Sequence, residues 1–595
     1  MELQQETNRQ LILQRLNLLR YPAALIFLVL IARLWQLQII QGADYAVKAE
    51  NNRVRTVELM APRGVITDRN GEILADNRSS VTVLLYRESM KDEDDTIHFL
   101  SEKLLLNSED LQSALVRGRE TGLFRPIIVK EDAGLEDISV IEAHRRDHPE
   151  IQVVPEPRRR YPNGSLASHL IGYVGEITED ELDQNLFPSA EPGSLVGKSG
   201  IERVYNESLV GIKGERLVLV DSRGREVSPP DDKNPVIGGE VQLTVDMKIQ
   251  SVAEKALEGK VGAIIAMNPR DGEILAMASA PSFDPNVFSK RLSYEDWRAI
   301  LDDPDHPMQN RCIQNSYAPG SIFKLIMAEA GLSEKIIDRN TSVYCTGSEV
   351  YFGRVFSCGA RNGHGRIRLE DAIAKSCNIF FYELGLKLGI SRISEYALRF
   401  GLGEKTGIDL PGERSGIIPN SEWKEKTFGE PWYPGETIPV SIGQGAINTT
   451  PLQMVRAVSV LANGGYVVTP HILLRADHID ENPEWPARHI NIDENDIQRI
   501  KEGMWRGVNE GGTGHNAAIP GRDICGKTGT AQVVSKESKT QSSGPLGDHA
   551  WFVGFSGREN SEIAVIVFLE HGGKGGTDAA PLAKEIFEAY YSDKE

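Results

Sequence analysis

The sequence predicts an α+β fold for residues 240–595: an antiparallel sheet that the chain leaves and later rejoins, with helices on its faces. Three observations carry this. Two apolar strand-like runs, GAIIAMNP (262–269) and EILAMASA (273–280), flank the tight turn Arg270-Asp271-Gly272. Three more return near the end: ICGKTGTAQVV (524–534), AWFVGFSG (550–557) and IAVIVFLE (563–570). Helical and loop segments fill 284–515 between the two groups.

Taken in order, the elements are these. Residues 21–40, YPAALIFLVLIARLWQLQII, hold an apolar core at Ala23–Ala32 that Leu34–Ile40 extends past Arg33, with Trp35 suited to an interface. No A-x-A cleavage site follows, so the expectation is an uncleaved membrane anchor and not a removed signal. Arg9, Arg15 and Arg20 precede it and favour a cytoplasmic segment 1–20, with the rest of the chain outside. Residues 41–239 are mixed and turn-rich. PRGVITDRNGEILADN (62–77) reads as a hairpin about Arg69-Asn70-Gly71. Residues 94–145 carry helical spacing, and 156–175 read as turns and short strands. SPPDDKNPVIGGE (228–240) has the Pro, Gly and Asp content of a linker. VQLTVDMKIQSVAEKAL (241–257) predicts a strand followed by a helix, and PLAKEIFEAYY (581–591) a terminal helix. There are no internal repeats.

The chain of 595 residues carries 66 Lys and Arg against 85 Asp and Glu, a formal charge of −19. No dense basic run offsets this, which argues against nucleic acid as a partner. The acidic group Asp302, Asp303 and Asp305 reads as solvated surface.

Three short motifs carry the chemistry. Ser321-Ile-Phe-Lys324 opens a helical run after Ala318-Pro319-Gly320. Positions three apart on a helix share a face, so Ser321 and Lys324 can meet. A serine hydroxyl needs a neighbour to take its proton. Burial and the positive end of the helix dipole both push Lys324 toward the neutral amine that can do so. This spacing alone is common by chance. Ser376-Cys377-Asn378 and Lys527-Thr528-Gly529-Thr530 follow it in order, the last in a strand-like run. Together they match the S-x-x-K, S-D-N and K-T-G signature of penicillin-binding proteins and class A β-lactamases. Cys377 stands where the signature has Asp, on a side chain expected to point away from Ser376 along a helix.

The chain resembles the class B penicillin-binding proteins, and among them the elongation branch of penicillin-binding protein 2, over essentially its whole length. Pro62-Arg63-Gly64, Asp68-Arg69-Asn70-Gly71 and Gly197-Lys198-Ser199-Gly200-Ile201-Glu202 look like that family's non-catalytic pedestal, or dimerisation-type domain, here 41–239. Pro434-Gly435-Glu436-Thr437 and Ser441-Ile442-Gly443-Gln444-Gly445 look like the elongation branch, and His549-Ala550-Trp551-Phe552 fits the strand beside Lys527. The resemblance implies a penicillin-binding transpeptidase fold over 240–595. It implies that Ser321 attacks the penultimate D-Ala carbonyl of a peptidoglycan stem peptide, or a β-lactam. Ser376 would relay a proton, Asn378 would hold Lys324 and the substrate amide, and Lys527 would meet the terminal carboxylate. Thr528 and Thr530 would donate to that ligand, and Gly529 would let a substrate strand approach. The N–H groups of Ser321 and Thr530 would form the oxyanion hole. It further implies a SEDS-family membrane glycosyltransferase and the elongation complex as partners, at the cytoplasmic membrane with the catalytic domain outside.

Two rival classes remain. A β-lactamase shares the motifs but, in class A, needs a deacylating glutamate that the sequence does not point to. A protease-coupled β-lactam sensor would show several spans and an H-E-x-x-H segment, and an inactive scaffold would have lost a motif residue; neither is seen.

Five cysteines occur: Cys312, Cys345, Cys358, Cys377 and Cys525. Cys345, Cys358, His364 and Cys377 are regularly spaced, and three Cys with one His make a closed tetrahedral set for a structural zinc. The alternative is a Cys345–Cys358 disulfide with Cys377 as a buried thiol.

Overall fold

In a computed structural model the described residues are 20–45, 54–120, 126–219, 231–290, 294–478, 483–532 and 547–592. Arg9, Arg15, residues 228–230 and residues 533–534 of the sequence-based reading lie outside them. Among the described residues, one helix is long and apolar enough to cross a membrane: Arg20–Ile40, 21 residues with a mean hydropathy of 2.1 and none of it buried.

By backbone contacts the described chain falls into two units, one comprising 1–61, 80–156 and 212–236, the other 62–79, 157–211 and 237–595. In the second unit 62–79 and 157–211 pack with the C-terminal residues. In the first unit, helices Glu93–Leu104, Ser108–Glu120 and Leu135–His144 enclose Leu85, Phe99, Leu100, Leu115, Ile141 and Ile151. Asp92 caps the first of these helices by accepting from the N–H groups of Asp94 and Asp95. Strand Ile127–Lys130 interrupts what the sequence reads as continuous helical spacing. Its β-branched residues pair with Val83–Leu85, and that long-range pairing outweighs local propensity.

In the second unit the predicted hairpin forms, Ile66–Thr67 pairing antiparallel with the start of Ile73–Leu85. Two of the pedestal motifs meet there in a buried ion cluster. Arg63 Nε and Arg159 Nε donate to Glu202 at 2.5 and 2.6 Å, and Arg63 also reaches Asn206 Oδ1 at 3.0 Å. Burial works against the Glu202 charge, but Arg159 and Arg63 outweigh it and hold its carboxyl below the usual range.

The remainder forms the predicted α+β layers. In chain order the elements that position the site are α1 (Met247–Ala256), β1 (Gly262–Met267), β2 (Ile274–Ala280), α2 (Lys324–Ser333), β3 (Val343–Cys345), β4 (Ser348–Tyr351), β5 (Arg354–Ser357), β6 (Gly365–Ile367), α3 (Leu369–Ala374), α4 (Asn378–Arg399), α5 (Pro451–Ala462), α6 (Glu494–Asn509), β7 (Ile524–Ala531), β8 (His549–Ser556), β9 (Ala564–Leu569) and α7 (Ala580–Ser592). The sheet runs β2-β1-β9-β8-β7, antiparallel throughout, so the early hairpin and the late strands join between β1 and β9.

Both faces are covered. Trp551, Val553 and Phe555 of β8 point into one core with α2, α4 and α5, while Ala550 and Phe552 point into another with α1 and α7. Burying each such aromatic or aliphatic side chain stabilises the fold by about 1.5–3 kcal/mol. Strand β7 is the edge on the active-site side, and an edge leaves backbone groups open for an added strand. The short strands β3–β6 are elements that the sequence does not announce; β3 pairs with β6 and β4 with β5.

Candidate active site

Helix α2 is apolar on every side, and Lys324 through Leu332 are all buried. Lys324 is therefore carried into the core at the first turn, with a relative exposure of 0%. Ser321 lies just before, in the 3-10 turn Gly320–Ile322, half-buried. This corrects the expectation of one continuous helix from Ser321. A 3-10 turn still eclipses positions three apart, so Ser321 and Lys324 remain on one side of the chain. No hydrogen bond joins the two side chains among the described residues.

The Lys324 ammonium is held instead by the second motif. It donates to Asn378 Oδ1 at 2.6 Å, to the Ser376 carbonyl oxygen at 2.9 Å and to Ser376 Oγ at 3.3 Å. Lys527 approaches the same hydroxyl from β7, Nζ to Ser376 Oγ at 2.9 Å, and also donates to the Thr528 carbonyl oxygen at 2.8 Å. Ser376 Oγ thus accepts from two amines and keeps its own proton free for a ligand.

No carboxylate bonds to either amine among the described residues. Burial lowers Lys324 to about 8, with a smaller opposing pull from Cys377 and Cys358. Burial and the Lys324 charge push Lys527 well below the ordinary lysine range.

Ser376 is not in a helix, contrary to expectation. It sits at φ 55° in the turn between α3 and α4, a strained left-handed position for a residue with a Cβ. The turn is held by Ser376 N–H to the Ile373 carbonyl and Cys377 N–H to the Ala372 carbonyl. It aims Ser376 at the two lysines while Cys377, the N-cap of α4, is fully buried. Asn378 Nδ2 donates to the Ser357 carbonyl at 3.0 Å, tying the motif to the end of β5.

Three residues contribute contacts that the sequence does not reveal, although Gly443 and Gly320 lie in segments it singles out. Gly443 packs its backbone on the nucleophile turn: its carbonyl accepts from Gly320 N–H at 2.8 Å, and a Cβ on Gly443 would lie 2.2 Å from Gly320 O. Gly320, at φ 55°, brings that turn against β7, where its own Cβ would lie 3.0 Å from Thr530 O. Thr513 bonds the Thr528 hydroxyl at 2.7 Å, so that hydroxyl is tied across to the loop after α6. Gly529 also has a packing role that the sequence reading does not include. The space its side chain would take is filled by Ile322, Trp551 and the Pro319 carbonyl, so its missing Cβ lets the Ser321 turn approach the strand closely.

Cys345, Cys358, His364 and Cys377 converge from β3, the β5–β6 loop and the start of α4, with ligand atoms all within 4.8 Å of one another. Cys358 Sγ lies 3.6 Å from His364 Nδ1. All five cysteines are free thiols, so the Cys345–Cys358 disulfide is not formed. A hydrogen bond from Cys377 lowers the Cys358 thiol, and the same bond together with burial raises that of Cys377. Three sulfurs and one imidazole nitrogen at this spacing suit a tetrahedral zinc ion.

Two family models match the chain: a penicillin binding protein transpeptidase domain over residues 262–588, and a penicillin-binding protein dimerisation domain over 58–243. The chain belongs to the penicillin-binding proteins, in the penicillin-binding protein 2 branch. It is 36% identical to the peptidoglycan D,D-transpeptidase MrdA of Acinetobacter baumannii, over 94% of this chain and 85% of that protein. Among solved structures it is similar to penicillin-binding protein PBP2 of Helicobacter pylori in complex with MreC, with a TM-score of 0.79 and 29% identity over 91% of this chain and all of that one. It is also similar to a chain of a peptidoglycan synthase complex described as coordinating polymerization and crosslinking, with a TM-score of 0.72 and 30% identity over 98% and 99% of the two chains.

Proposed function

We propose that this penicillin-binding protein is a serine-type peptidoglycan D,D-transpeptidase that cross-links stem peptides through an ester on Ser321 during cell elongation. One observation carries the reading: two buried lysines from separate motifs share the hydroxyl of Ser376, beside the turn that bears Ser321. The Ser321 oxygen attacks the penultimate D-Ala carbonyl carbon, with the oxyanion on the N–H groups of Ser321 and Thr530. The Ser321 proton passes to neutral Lys324 and on through Ser376 to the departing amine of D-Ala as the C–N bond breaks. An amine of a neighbouring stem then attacks the ester, and Ser321 recovers its proton by the reverse route. Water in place of that amine gives carboxypeptidase activity as a side reaction.

The two lysines explain how the site is switched on. In the free site, mutual repulsion disfavours charge on both. A substrate or β-lactam carboxylate beside Lys527 favours its ammonium. That ammonium in turn favours the neutral amine on Lys324, so ligand binding itself prepares the base. A β-lactam follows the same acylation. The similarity to peptidoglycan D,D-transpeptidases over nearly the whole chain favours a transpeptidase over a glutamate-assisted β-lactamase.

Cys345, Cys358, His364 and Cys377 would hold a structural zinc that braces the Ser376 turn, with no part in bond making. The apolar helix Arg20–Ile40 anchors the chain in the cytoplasmic membrane with the catalytic domain outside. The similarity to chains found with MreC and in a synthase complex supports assembly with elongation proteins, including a SEDS-family glycosyltransferase.

Mass spectrometry after benzylpenicillin treatment tests the core reading. The parent gains one adduct on Ser321 and Ser321→Ala gains none; an adduct elsewhere, or none on the folded parent, overturns it. Metal analysis of purified protein tests the zinc: about one zinc per chain is expected, lost in Cys345→Ser with a lower melting point. Metal-free protein with a Cys345–Cys358 disulfide would refute that part.

A further inference from the structure

The segment between β4 and Ser376 has a charge pattern unlike the rest of the chain. Arg354, Arg361, Arg366, Arg368 and Lys375 are all exposed. From residue 343 to 369 the single acid is Glu349, in a protein where acids outnumber bases 85 to 66. Glu370 and Asp371 follow, but they are engaged by Arg499 and Arg506. Among the described residues, none of the five cations makes an ion pair or side-chain hydrogen bond. Five unpaired cations close together repel one another, so the arrangement is stabilised only when an anion arrives.

The fold places this patch at the reaction centre. Strand β5 carries Arg354 at its start, and at ~3.3 Å per residue this lies about 10 Å from Ser357. The Ser357 carbonyl is the group that accepts from Asn378. Arg361 sits in the loop closed by Cys358 and His364, its carbonyl packed on Gly347. Arg366 is paired across the β3–β6 ladder with exposed Tyr344. Arg368 caps the start of α3, and Lys375 its end, one residue before Ser376. The hydrogen bonds run Lys527–Ser376–Lys324–Asn378–Ser357, so the β5 part of the patch joins the network at the Asn378 end, while Lys375 directly precedes Ser376. Lys527 is the cation assigned to the donor carboxylate, and the patch is a second anion-attracting region, joined to Lys324 through Asn378 and the end of β5.

We infer that this basic patch is the docking surface for the acyl-acceptor stem peptide, whose free carboxylates it binds while the acceptor amine is presented to the Ser321 ester. The inference rests on the transpeptidase reading above. Arginine suits the task, since its fork meets a carboxylate through two parallel hydrogen bonds. Long-range attraction also raises the local concentration of an anionic peptide at an acidic protein.

The test uses the full-length chain in detergent with three readouts: benzylpenicillin acylation, first-turnover D-Ala release from a donor peptide, and cross-linking to an amine-bearing stem peptide. In the triple variant Arg354→Gln, Arg361→Gln, Arg366→Gln, acylation and D-Ala release are expected to stay within about twofold of the parent, while cross-linking per D-Ala released falls at least about tenfold. The corresponding triple Lys variant, which keeps the charge, should recover most of the cross-linking. Raised salt should depress cross-linking in the parent and depress it less steeply in the Gln variant, which keeps only Arg368 and Lys375 of the patch. Parental cross-linking in the Gln variant overturns the proposal. An equal loss of D-Ala release also overturns it, by assigning the patch to the donor. Failure of the parent to be acylated at all would instead refute the underlying transpeptidase assignment.

Discussion

Gly443→Ala should cripple acylation without touching any group that does chemistry. A Cβ at this position would lie 2.2 Å from Gly320 O and 2.8 Å from Phe323 Cβ. Ordinary carbon contacts lie at ~3.5 Å, so the nucleophile turn must retreat by about 1 Å. Gly320 immediately precedes Ser321, and a displacement of about 1 Å at a reacting atom costs on the order of 100-fold in rate. The backbone adds a separate cost, because Gly443 has φ 71° and alanine there is strained by about 1–2 kcal/mol. Gly464→Ala separates the two effects: it shares the positive φ, at 81°, but its Cβ would meet nothing within 4 Å. Stopped-flow acylation with a chromogenic cephalosporin and a thermal melt suffice. Both variants should melt a few degrees lower. Only Gly443→Ala should lose about 100-fold in acylation rate; parental acylation in that variant, or an equal loss in Gly464→Ala, would refute the reasoning.

Two other outcomes follow from the electrostatics. The second-order acylation rate should climb with pH and level off above about 8, because burial depresses Lys324 to about 8 and only its neutral form accepts the Ser321 proton. Lys324→Arg, which cannot deprotonate, should abolish the rise along with the rate, and a flat profile in the parent between about pH 6 and 9 would contradict Lys324 as base. Glu202→Gln leaves the buried Arg63 and Arg159 without a counter-charge and should cost about 3–5 kcal/mol in denaturant unfolding of the second unit, where an unchanged midpoint would show the cluster to be dispensable.

Much of the site was legible because its chemistry needs particular side chains in a particular order. Ser321, Lys324, Ser376, Asn378 and Lys527 were singled out from spacing, and the fold brings four of them into one hydrogen-bond network beside the Ser321 turn. The strands of the main sheet were legible for a related reason, since runs such as IAVIVFLE are apolar on both faces and both faces are covered. Other features leave no local trace. The small ladders β3–β6 and β4–β5 are too short and polar to show periodicity. Ser376 adopts a left-handed turn that nothing in Ala-Lys-Ser-Cys-Asn announces. Gly443 and Thr513 matter through contacts with residues far away in the chain, and their neighbours in sequence say nothing of that.

The sequence by itself determined the inventory: a serine and two lysines in order, three thiols and an imidazole at regular spacing, and an apolar segment long enough to cross a membrane. Tertiary structure alone decided what those groups are. Lysine becomes a base only where burial removes water from its charge, and Lys324 is buried because α2 is apolar all round. The thiols of Cys345, Cys358 and Cys377 become a donor set with His364 only where two ladders and a helix start converge to within 4.8 Å. Energies of desolvation and coordination depend on distances through space, and a linear chain does not contain them until it folds.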